Sequence, residues 1–259
     1  MSSTLLEGMS PIAEAASRSM HLRAVHKSFG GVRALTDCSF DVTARKITAL
    51  IGPNGSGKTT AFNCISGFYV PDKGTVMLGE RNITGWSPSR IVHQRVTRTF
   101  QITRVFKRMT VLENMVVPAR RTGLKAMFWD GIQGHERERA ERLLEFVGLS
   151  RFIDDQAGHL SFGQQKLLEL AAALMAQPEI MLLDEPSGGL NPIMIDRLAG
   201  YIRELNHLGV TFLIVEHNMG FVMRLADEVI VLHHGSVISR GSPAHVRADP
   251  DVLEAYLGS

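Results

Sequence analysis

The sequence predicts an α/β fold in which a phosphate-binding loop joins a buried strand to a helix. Residues 52–59 read GPNGSGKT, which fits the pattern G-x-x-x-x-G-K-[ST] of phosphate-binding loops. From residue 160 onward, apolar strands alternate with helices, as in a parallel sheet with helices on both faces. Before residue 80, short strands follow one another through turns, so we expect a mixed sheet with an antiparallel part.

The predicted elements follow in chain order. Residues 47–51, which are apolar except for Thr48, predict a buried strand that leads into the loop. Around it we expect strands over 21–28, 38–42 and 74–78 and a helix over 60–65. Further on, the periodicity predicts helices over 111–117, 136–146, 160–176, 192–208 and 218–226, with strands over 180–183 and 211–215.

The same pattern predicts how the chain divides. Residues 1–20 lack a positively charged start followed by an apolar stretch, so we expect a flexible leader and no signal peptide. Residues 21–259 are expected to form one α/β domain, with a helical subdomain inserted at about 105–176. Within that insertion, residues 118–134 show no clear periodicity and are expected to form a loop or a poorly specified helix.

Composition limits the class of protein. With 259 residues and a formal net charge of +2, bulk charge gives no reason to expect a nucleic-acid partner. No apolar run is long enough to span a bilayer, so a membrane-spanning part would have to come from another chain. The two cysteines, Cys38 and Cys64, are isolated in sequence and are expected to be packed, reduced thiols.

The phosphate loop carries the first set of candidate site residues. Its glycines let the backbone curl so that successive N–H groups point at an anion, and the following helix presents its positive end. Lys58 can reach the β- and γ-phosphates of a nucleotide, and the Thr59 hydroxyl can ligate Mg²⁺. The predicted phosphate-binding residues are Gly52, Pro53, Asn54, Gly55, Ser56, Gly57, Lys58, Thr59 and Thr60.

Two acids follow the apolar strand predicted at 180–183. Adjacent acids after a strand are more often a solvated turn. With a phosphate loop in the same chain, however, Asp184 is well placed to hold Mg²⁺ at the carboxyl edge of the sheet. Glu185 can then polarise a water molecule as general base.

Two further residues are ambiguous when they are taken alone. His217 follows another buried strand and could bond a γ-phosphate, although a lone histidine is usually structural or merely exposed. Ser161 is a plausible N-cap for the helix that follows, which offers another anion site. The simpler interpretation there is a capped helix and nothing more.

Taken together, these motifs resemble the ATP-binding subunits of ABC transporters over residues 21–259. Residues 52–59 match the Walker A loop, 160–164 the LSGGQ signature, 180–185 Walker B and 187–191 the D-loop. The resemblance implies that Gln101 is the Q-loop glutamine, that Phe29 stacks on adenine and that His217 is the switch histidine. It also implies that Ser161, Gly163 and Gln164 contact ATP and that Gln101 helps Thr59 and Asp184 to hold Mg²⁺.

Two positions depart from the general family pattern. Phe162 replaces the first glycine of the signature, and Asn191 stands where the D-loop usually has aspartate. Both departures also occur among ATPases of branched-chain amino acid importers, which the chain resembles more closely. Segments at 63–69, 98–101, 109–114, 190–192 and 249–258 carry that closer resemblance.

The resemblance implies an ATPase that uses ATP and Mg²⁺ and powers an importer for branched-chain or related amino acids. Its expected partners are integral membrane permease subunits, a second ATP-binding subunit in a homo- or heterodimer, and indirectly a solute-binding protein, but no nucleic acid. It is expected at the cytoplasmic face of the plasma membrane, where it would dock near Gln101, Val105, Phe106 and Val111. The simpler alternative is that Val105 and Phe106 pack the insertion against the core. The alternatives are an importer for urea or short amides, a non-transport ABC ATPase and a kinase.

Overall fold

The computed structural model describes residues 18–99, 105–117 and 132–257. Of the sequence predictions, Gln101 and most of the 1–20 leader and of the 118–134 segment lie outside these residues. The leader and the inserted helical subdomain therefore stay predictions. Within the described residues no helix combines the length and apolar character needed to cross a bilayer.

An antiparallel sheet forms the first layer. Its strands lie in the order β2-β1-β4-β5. They are β1 (Met20–Phe29), β2 (Val32–Val42), β4 (Lys73–Leu78) and β5 (Arg81–Asn82). The predicted strand at 38–42 is thus the end of a longer strand, which pairs with β1 through the turn after Phe29.

A second sheet of six strands forms the centre of the molecule. Its order is β10-β9-β3-β8-β7-β6, and only the pair β9–β10 is antiparallel. Its strands are β3 (Ile47–Ile51), β6 (Val96–Arg98), β7 (Ile180–Asp184), β8 (Thr211–Val215), β9 (Glu228–His233) and β10 (Ser236–Gly241). Every residue of β3, β7 and β8 is buried, which explains why these strands are apolar apart from Thr48, Asp184 and Thr211. The mixed sheet predicted from the sequence is confirmed.

Helices cover both faces of this sheet. They are α1 (Lys58–Ile65), α2 (Pro88–Val92), α3 (Val111–Val116), α4 (Gly134–Phe146), α5 (Phe162–Leu174), α6 (Pro192–His207), α7 (Met219–Leu225), α8 (Pro243–Ala248) and α9 (Pro250–Leu257). Short 3₁₀ turns lie at Ser150–Phe152 and Ala157–His159. The predicted helices are all present among the described residues, although α1 begins two residues earlier than the sequence suggested.

Alternate side chains of the central strands pack into different clusters. Met181 of β7 packs with the helices α3 to α6 on one face, and Leu182 packs with α1 and the antiparallel sheet on the other. A third, smaller cluster joins Ile51 at the end of β3 to Val252 of α9. The cysteines lie in the second cluster as free thiols, and burial raises the pKa of Cys38 to about 12 and of Cys64 to about 11.

Candidate functional site

The carboxyl ends of β3, β7 and β8 bring the predicted site residues to one edge of the sheet. Directly after β7, the backbone N–H of Glu185 donates to Val215 at the end of β8, over 2.9 Å. Directly after β8, the N–H of Glu216 donates to Leu50 in β3, over 3.3 Å. The phosphate loop, the two acids after β7 and His217 after β8 therefore share the edge where ligands bind in open α/β sheets.

The phosphate loop has a backbone that only glycine fits at two positions. Gly52 has φ of 148°, and a Cβ atom there would lie 2.1 Å from the carbonyl oxygen of Leu232. Gly57 has φ of 102°, and a Cβ atom there would lie 2.5 Å from the carbonyl oxygen of Ala34. Gly57 is also the N-cap of α1, so no side chain caps the first N–H groups of that helix. These N–H groups are available to an anion.

Lys58 lies inside the loop and is only 9% exposed. Its Nζ donates to the carbonyl oxygens of Gly52, at 2.7 Å, and Pro53, at 2.8 Å. Burial lowers the pKa of Lys58, and the nearby carboxylate of Glu185 partly opposes that shift. Ser56 in the same loop has a buried hydroxyl without a hydrogen-bond partner in the described part of the chain. A bound phosphate would offer acceptors to both side chains, so the loop fits such a group.

Asp184 at the end of β7 is paired with Arg98 from the neighbouring strand β6. The guanidinium Nη2 lies 3.0 Å from Asp184 Oδ2, and its Nη1 donates to Asn63 Oδ1, over 2.5 Å, and to Ser66 Oγ, over 2.9 Å. Burial raises the pKa of Asp184 while Arg98 lowers it, and the net shift is upward. This ion pair was not predicted from the sequence, because only the pairing of β6 with β7 brings Arg98 next to Asp184.

The oxygen ligands predicted for Mg²⁺ are chemically suitable. Thr59, which is exposed on the first turn of α1, offers a hydroxyl, and Asp184 offers a carboxylate. The described residues contain no group of three or more His, Cys, Asp or Glu side chains that could hold a metal by themselves. An ion such as Mg²⁺ takes one or two protein oxygens and relies on water and substrate phosphates for the rest.

Glu185 and His217 face each other across the edge. The Nδ1 atom of His217 lies 3.6 Å from Oε1 of Glu185, and their side chains are 62% and 29% exposed respectively. Glu185 has φ of 47°, in the left-handed region that non-glycine residues seldom adopt. Such conformations cost energy and cluster at functional sites. A water molecule or a phosphate could reach both side chains.

The signature segment begins helix α5 with a capping box. The N–H of Ser161 donates to Gln164 Oε1, over 2.8 Å, and the N–H of Gln164 donates to Ser161 Oγ, over 3.4 Å. The predicted N-cap is therefore present, while contact of Ser161, Gly163 and Gln164 with a phosphate stays a prediction. A Cβ on Gly163 would lie 3.0 Å from Met194 Cε in α6, so the start of α5 packs closely on that helix.

The two departures from the family pattern have clear surroundings. The ring of Phe162, which is 48% exposed, approaches Gly189 so closely that a Cβ atom there would lie 2.8 Å from it. Asn191 is the N-cap of α6, and its Oδ1 accepts a bond from the N–H of Met194, over 2.9 Å. An aspartate would cap the same helix, so the neutral amide preserves the local fold.

Phe29 ends β1 and is 43% exposed. Its ring meets that of Tyr69 edge-on, with 5.0 Å between the centroids, and Lys27 Nζ lies 5.5 Å from its centre. One face of an aromatic ring that is this exposed can accept a base.

The docking surface predicted beside the site stays a prediction, and one of its residues is misplaced. Val105 is half-buried and Phe106 is 52% exposed, and both line a cavity of about 150 Å³. Arg98 and Glu169 also line this cavity. Val111, in contrast, is fully buried as the first residue of α3 and packs in the core, so its assignment to the surface was wrong.

Two residues that the sequence analysis did not single out touch the site. Glu216 is completely buried next to His217, and its carboxylate accepts backbone bonds from two loops. Tyr256 in α9 accepts a hydrogen bond from the backbone N–H of Gly52. A glutamate beside a histidine gave no signal of burial, and nothing in the sequence places residue 256 near residue 52.

Two family descriptions match the chain. The one described as ABC transporter matches residues 35–188, and the one described as branched-chain amino acid ATP-binding cassette transporter matches residues 236–259. The high-affinity branched-chain amino acid transport ATP-binding protein LivG of Salmonella typhimurium is 42% identical over 240 residues, which cover 89% of this chain and 94% of that protein. The protein of the same description from Pseudomonas aeruginosa, BraF, is 40% identical with the same coverage.

Solved structures give the same picture. The ADP conformation of an ATP-binding cassette of an ABC transporter is 35% identical and superimposes with a TM-score of 0.85, covering 93% of this chain and 99% of that one. The dimeric structure of a bacterial ABC transporter cassette is 26% identical, with a TM-score of 0.74, and covers 86% of this chain and 98% of that one. The predicted fold class is confirmed.

Proposed function

The chain belongs to the family of ABC transporter ATP-binding subunits, and from this premise we propose that it hydrolyses ATP to power an importer for branched-chain or related amino acids. The observation that carries the proposal is the meeting of Lys58, Asp184 and Glu185 at one sheet edge. The relatives' names supply the solute class, since LivG and BraF are described as branched-chain amino acid transport proteins.

ATP binds with its phosphates in the loop of residues 52–60 and its adenine on Phe29. Lys58 then exchanges its two carbonyl acceptors for phosphate oxygens, and the N–H groups at the start of α1 donate to the same phosphates. Thr59, Asp184 and Gln101 are the residues that would hold Mg²⁺. When bound, that ion neutralises charge on the β- and γ-phosphates.

Hydrolysis requires a base and a group that steadies the γ-phosphate. Glu185 accepts a proton from water as the water oxygen attacks the γ-phosphorus, and the bond to the bridging oxygen breaks so that ADP leaves. His217, within 3.6 Å of Glu185, donates to a γ-phosphate oxygen. This short distance keeps Glu185, the base, and His217, which binds the γ-phosphate, on the same side of the attacking water.

A second ATP-binding subunit completes each site. Ser161, Gly163 and Gln164 of one subunit contact the γ-phosphate bound to the other, and two ATP molecules close the dimer. The dimeric structure of a related cassette supports this arrangement. The second subunit is either another copy of this chain or a related ATPase.

The membrane subunits dock on the cavity beside Phe106. Exposed apolar surface at Val105 and Phe106 fits a short segment of a membrane protein. Arg98 lies on the wall of this cavity and holds Asp184, so a docked segment lies one side chain away from the site. This docking places the subunit at the cytoplasmic face of the plasma membrane, with a solute-binding protein on the other side.

The test is reconstitution of the full complex in vesicles. The chain should copurify with its membrane subunits, release inorganic phosphate from ATP, and drive uptake of leucine, isoleucine or valine. Uptake of urea or short amides in its place would correct the solute class. Failure to copurify with any membrane subunit, although phosphate is released, would indicate a non-transport ATPase, and transfer of phosphate to an acceptor would indicate a kinase.

A further inference from the structure

Glu216 is a buried acid that the mechanism above does not use. It follows β8 directly, between the last strand residue and His217, and its exposed fraction is 0%. Its carboxylate accepts three hydrogen bonds, all from backbone N–H groups. No cation lies within ion-pair distance of it among the described residues.

These three bonds join two loops. Oε1 accepts from the N–H of Ser187, over 2.8 Å, in the loop that carries Glu185. Oε2 accepts from the N–H groups of His217 and Asn218, over 3.1 and 3.2 Å, in the loop that carries His217. The carboxylate of Glu216 therefore sets the distance between two loops. One carries Glu185, the proposed base, and the other carries His217, the proposed donor to the γ-phosphate.

The loop ends outside this bridge are fixed as well. The N–H of Gly188 donates to the carbonyl of Glu185, over 3.1 Å, and closes a turn around Ser187. On the other side, Asn218 caps α7 by accepting a bond from the N–H of Phe221, over 3.1 Å. Movement of either loop relative to the other must therefore break a bond to Glu216.

A buried carboxylate without a cationic partner is costly, and a hydrocarbon side chain of similar volume would fill the space without that cost. A charged group that accepts several N–H bonds offsets part of the cost and holds its donors in fixed directions. The N–H donors to Glu216 belong to the loops that carry Glu185 and His217, so these bonds fix the orientation of both loops.

We propose that Glu216 is a positioning residue that holds Glu185 and His217 at the distance that hydrolysis requires. The proposal rests on the proposed ATPase function of this site. The proposal treats hydrolysis and nucleotide binding separately, because among the described residues Glu216 forms no hydrogen bond to Lys58 or to another side chain of the phosphate loop. Hydrolysis should depend on the bridge, and nucleotide affinity should not.

The test uses Glu216→Gln in the full-length chain. Glutamine keeps the size, but its NH₂ group must face an N–H donor on one side, so one of the two loops loses its acceptor. We expect kcat to fall by about tenfold to a hundredfold, as for a small misplacement of catalytic groups. The KM and the dissociation constant for ATP should stay within about threefold of wild type, which is less than the loss of one hydrogen bond to a charged phosphate would cause.

Glu179→Gln is the matched control. Glu179 is 8% exposed at the opposite end of β7 and is bound by Arg18 and Arg95. Its substitution should lower the melting temperature and leave kcat unchanged. Should Glu216→Gln not fold, Glu216→Asp is measured in the same way, since it keeps the charge and shortens the reach by one CH₂ group.

The outcomes are distinct. An unchanged kcat would overturn the proposal, and so would a parallel loss of kcat, ATP affinity and melting temperature, which is the signature of a purely structural residue. If the wild-type chain bound no ATP and released no phosphate, the proposed function itself would fail, and the role of Glu216 would fail with it.

Discussion

The two ends of the central strands treat buried polar groups in opposite ways. At the amino end of β7, Glu179 is bound by two guanidinium groups, Arg18 at 2.8 Å and Arg95 at 3.2 Å. At the carboxyl end, Lys58 is bound by carbonyl groups and Glu216 by N–H groups of the backbone. The amino end is satisfied by its own side chains. The carboxyl end holds a cation, Lys58, whose carbonyl partners can be exchanged for a ligand, and an anion, Glu216, whose N–H partners belong to two loops of the site.

This difference shows how one sheet combines stability with function. Opposite charges that neutralise each other leave little field for a ligand, so they suit a purely structural end. A lone cation held by backbone carbonyl groups, such as Lys58, keeps its charge available to an anionic ligand. Asp184 is the exception at the carboxyl end, and its partner Arg98 reaches from the cavity proposed for docking.

The largest expected effect comes from replacing a glutamate by glutamine at each end of the central strands. Glu185→Gln removes the proposed base and keeps the size of the side chain, so turnover should fall by about a hundredfold or more. ATP should still bind and should now trap the closed dimer. Phosphate release and gel filtration with ATP measure the two effects.

Glu179→Gln serves again as the control for this experiment, with wild-type phosphate release expected. If Glu185→Gln released phosphate at a rate near wild type, Glu185 would lose its assigned role. If instead both variants lost turnover equally, the functional difference between the two ends would disappear.

The next largest expected effect concerns the cavity beside Phe106, at the carboxyl end of β6. Phe106→Glu places a charge on a 52%-exposed ring position that lines the cavity with Arg98. We expect the isolated subunit to fold and bind ATP, while assembly with its membrane subunits and uptake are lost. Copurification and vesicle uptake are the measurements.

Val92→Glu is the matched control for Phe106→Glu, because Val92 is 47% exposed and lines a neighbouring cavity. It should leave more assembly intact than Phe106→Glu does. Misfolding of Phe106→Glu on its own would identify a core residue, and normal uptake would place the docking surface elsewhere.

Lys58→Ala tests the exchangeable cation at the carboxyl end. Removing a charged donor to phosphate should weaken ATP binding by about tenfold to a hundredfold. Equilibrium binding of a fluorescent ATP analogue measures this change. Lys73→Ala, at an exposed position of β4, should leave affinity unchanged. Equal affinities of wild type and Lys58→Ala would contradict the placement of Lys58 on the phosphates.

The sequence was sufficient where a pattern is local. The bounds of β3 and β8 were predicted correctly, because each is a short segment of four apolar residues and one threonine, which is typical of a fully buried strand. Strand β6 has three residues, which is too short for any periodicity. The short helices α2 and α8 each begin with a Ser-Pro pair, a start signal that the sequence carried and that was not used.

The missing parts of the site depend on strand order. Arg98 reaches Asp184 because β6 lies next to β7, although 86 residues separate the two in the chain. Glu216 is buried because β8 lies between β3 and β7, so the following residue is covered from both sides. Sequence motifs therefore identified the residues predicted to contact a ligand. Only the strand order identified Arg98 and Glu216, which hold those residues in place.

The smallest expected effect concerns the segment that matches the second family description. Helix α9 packs Val252 against Ile51, and the Tyr256 oxygen accepts a bond from the N–H of Gly52, the first residue of the phosphate loop. Burial raises the pKa of Tyr256 and this bond opposes the shift; the net direction is upward, so the phenol is neutral at physiological pH.

Tyr256→Phe removes one neutral hydrogen bond and should weaken ATP binding by about twofold to tenfold. Leu253→Ala, at a 51%-exposed position of the same helix, is the control and should bind ATP as wild type does. If Tyr256→Phe also bound ATP normally, α9 would only cover the core. The groups that determine ATP affinity at the carboxyl end of the strands would then all lie in the phosphate loop.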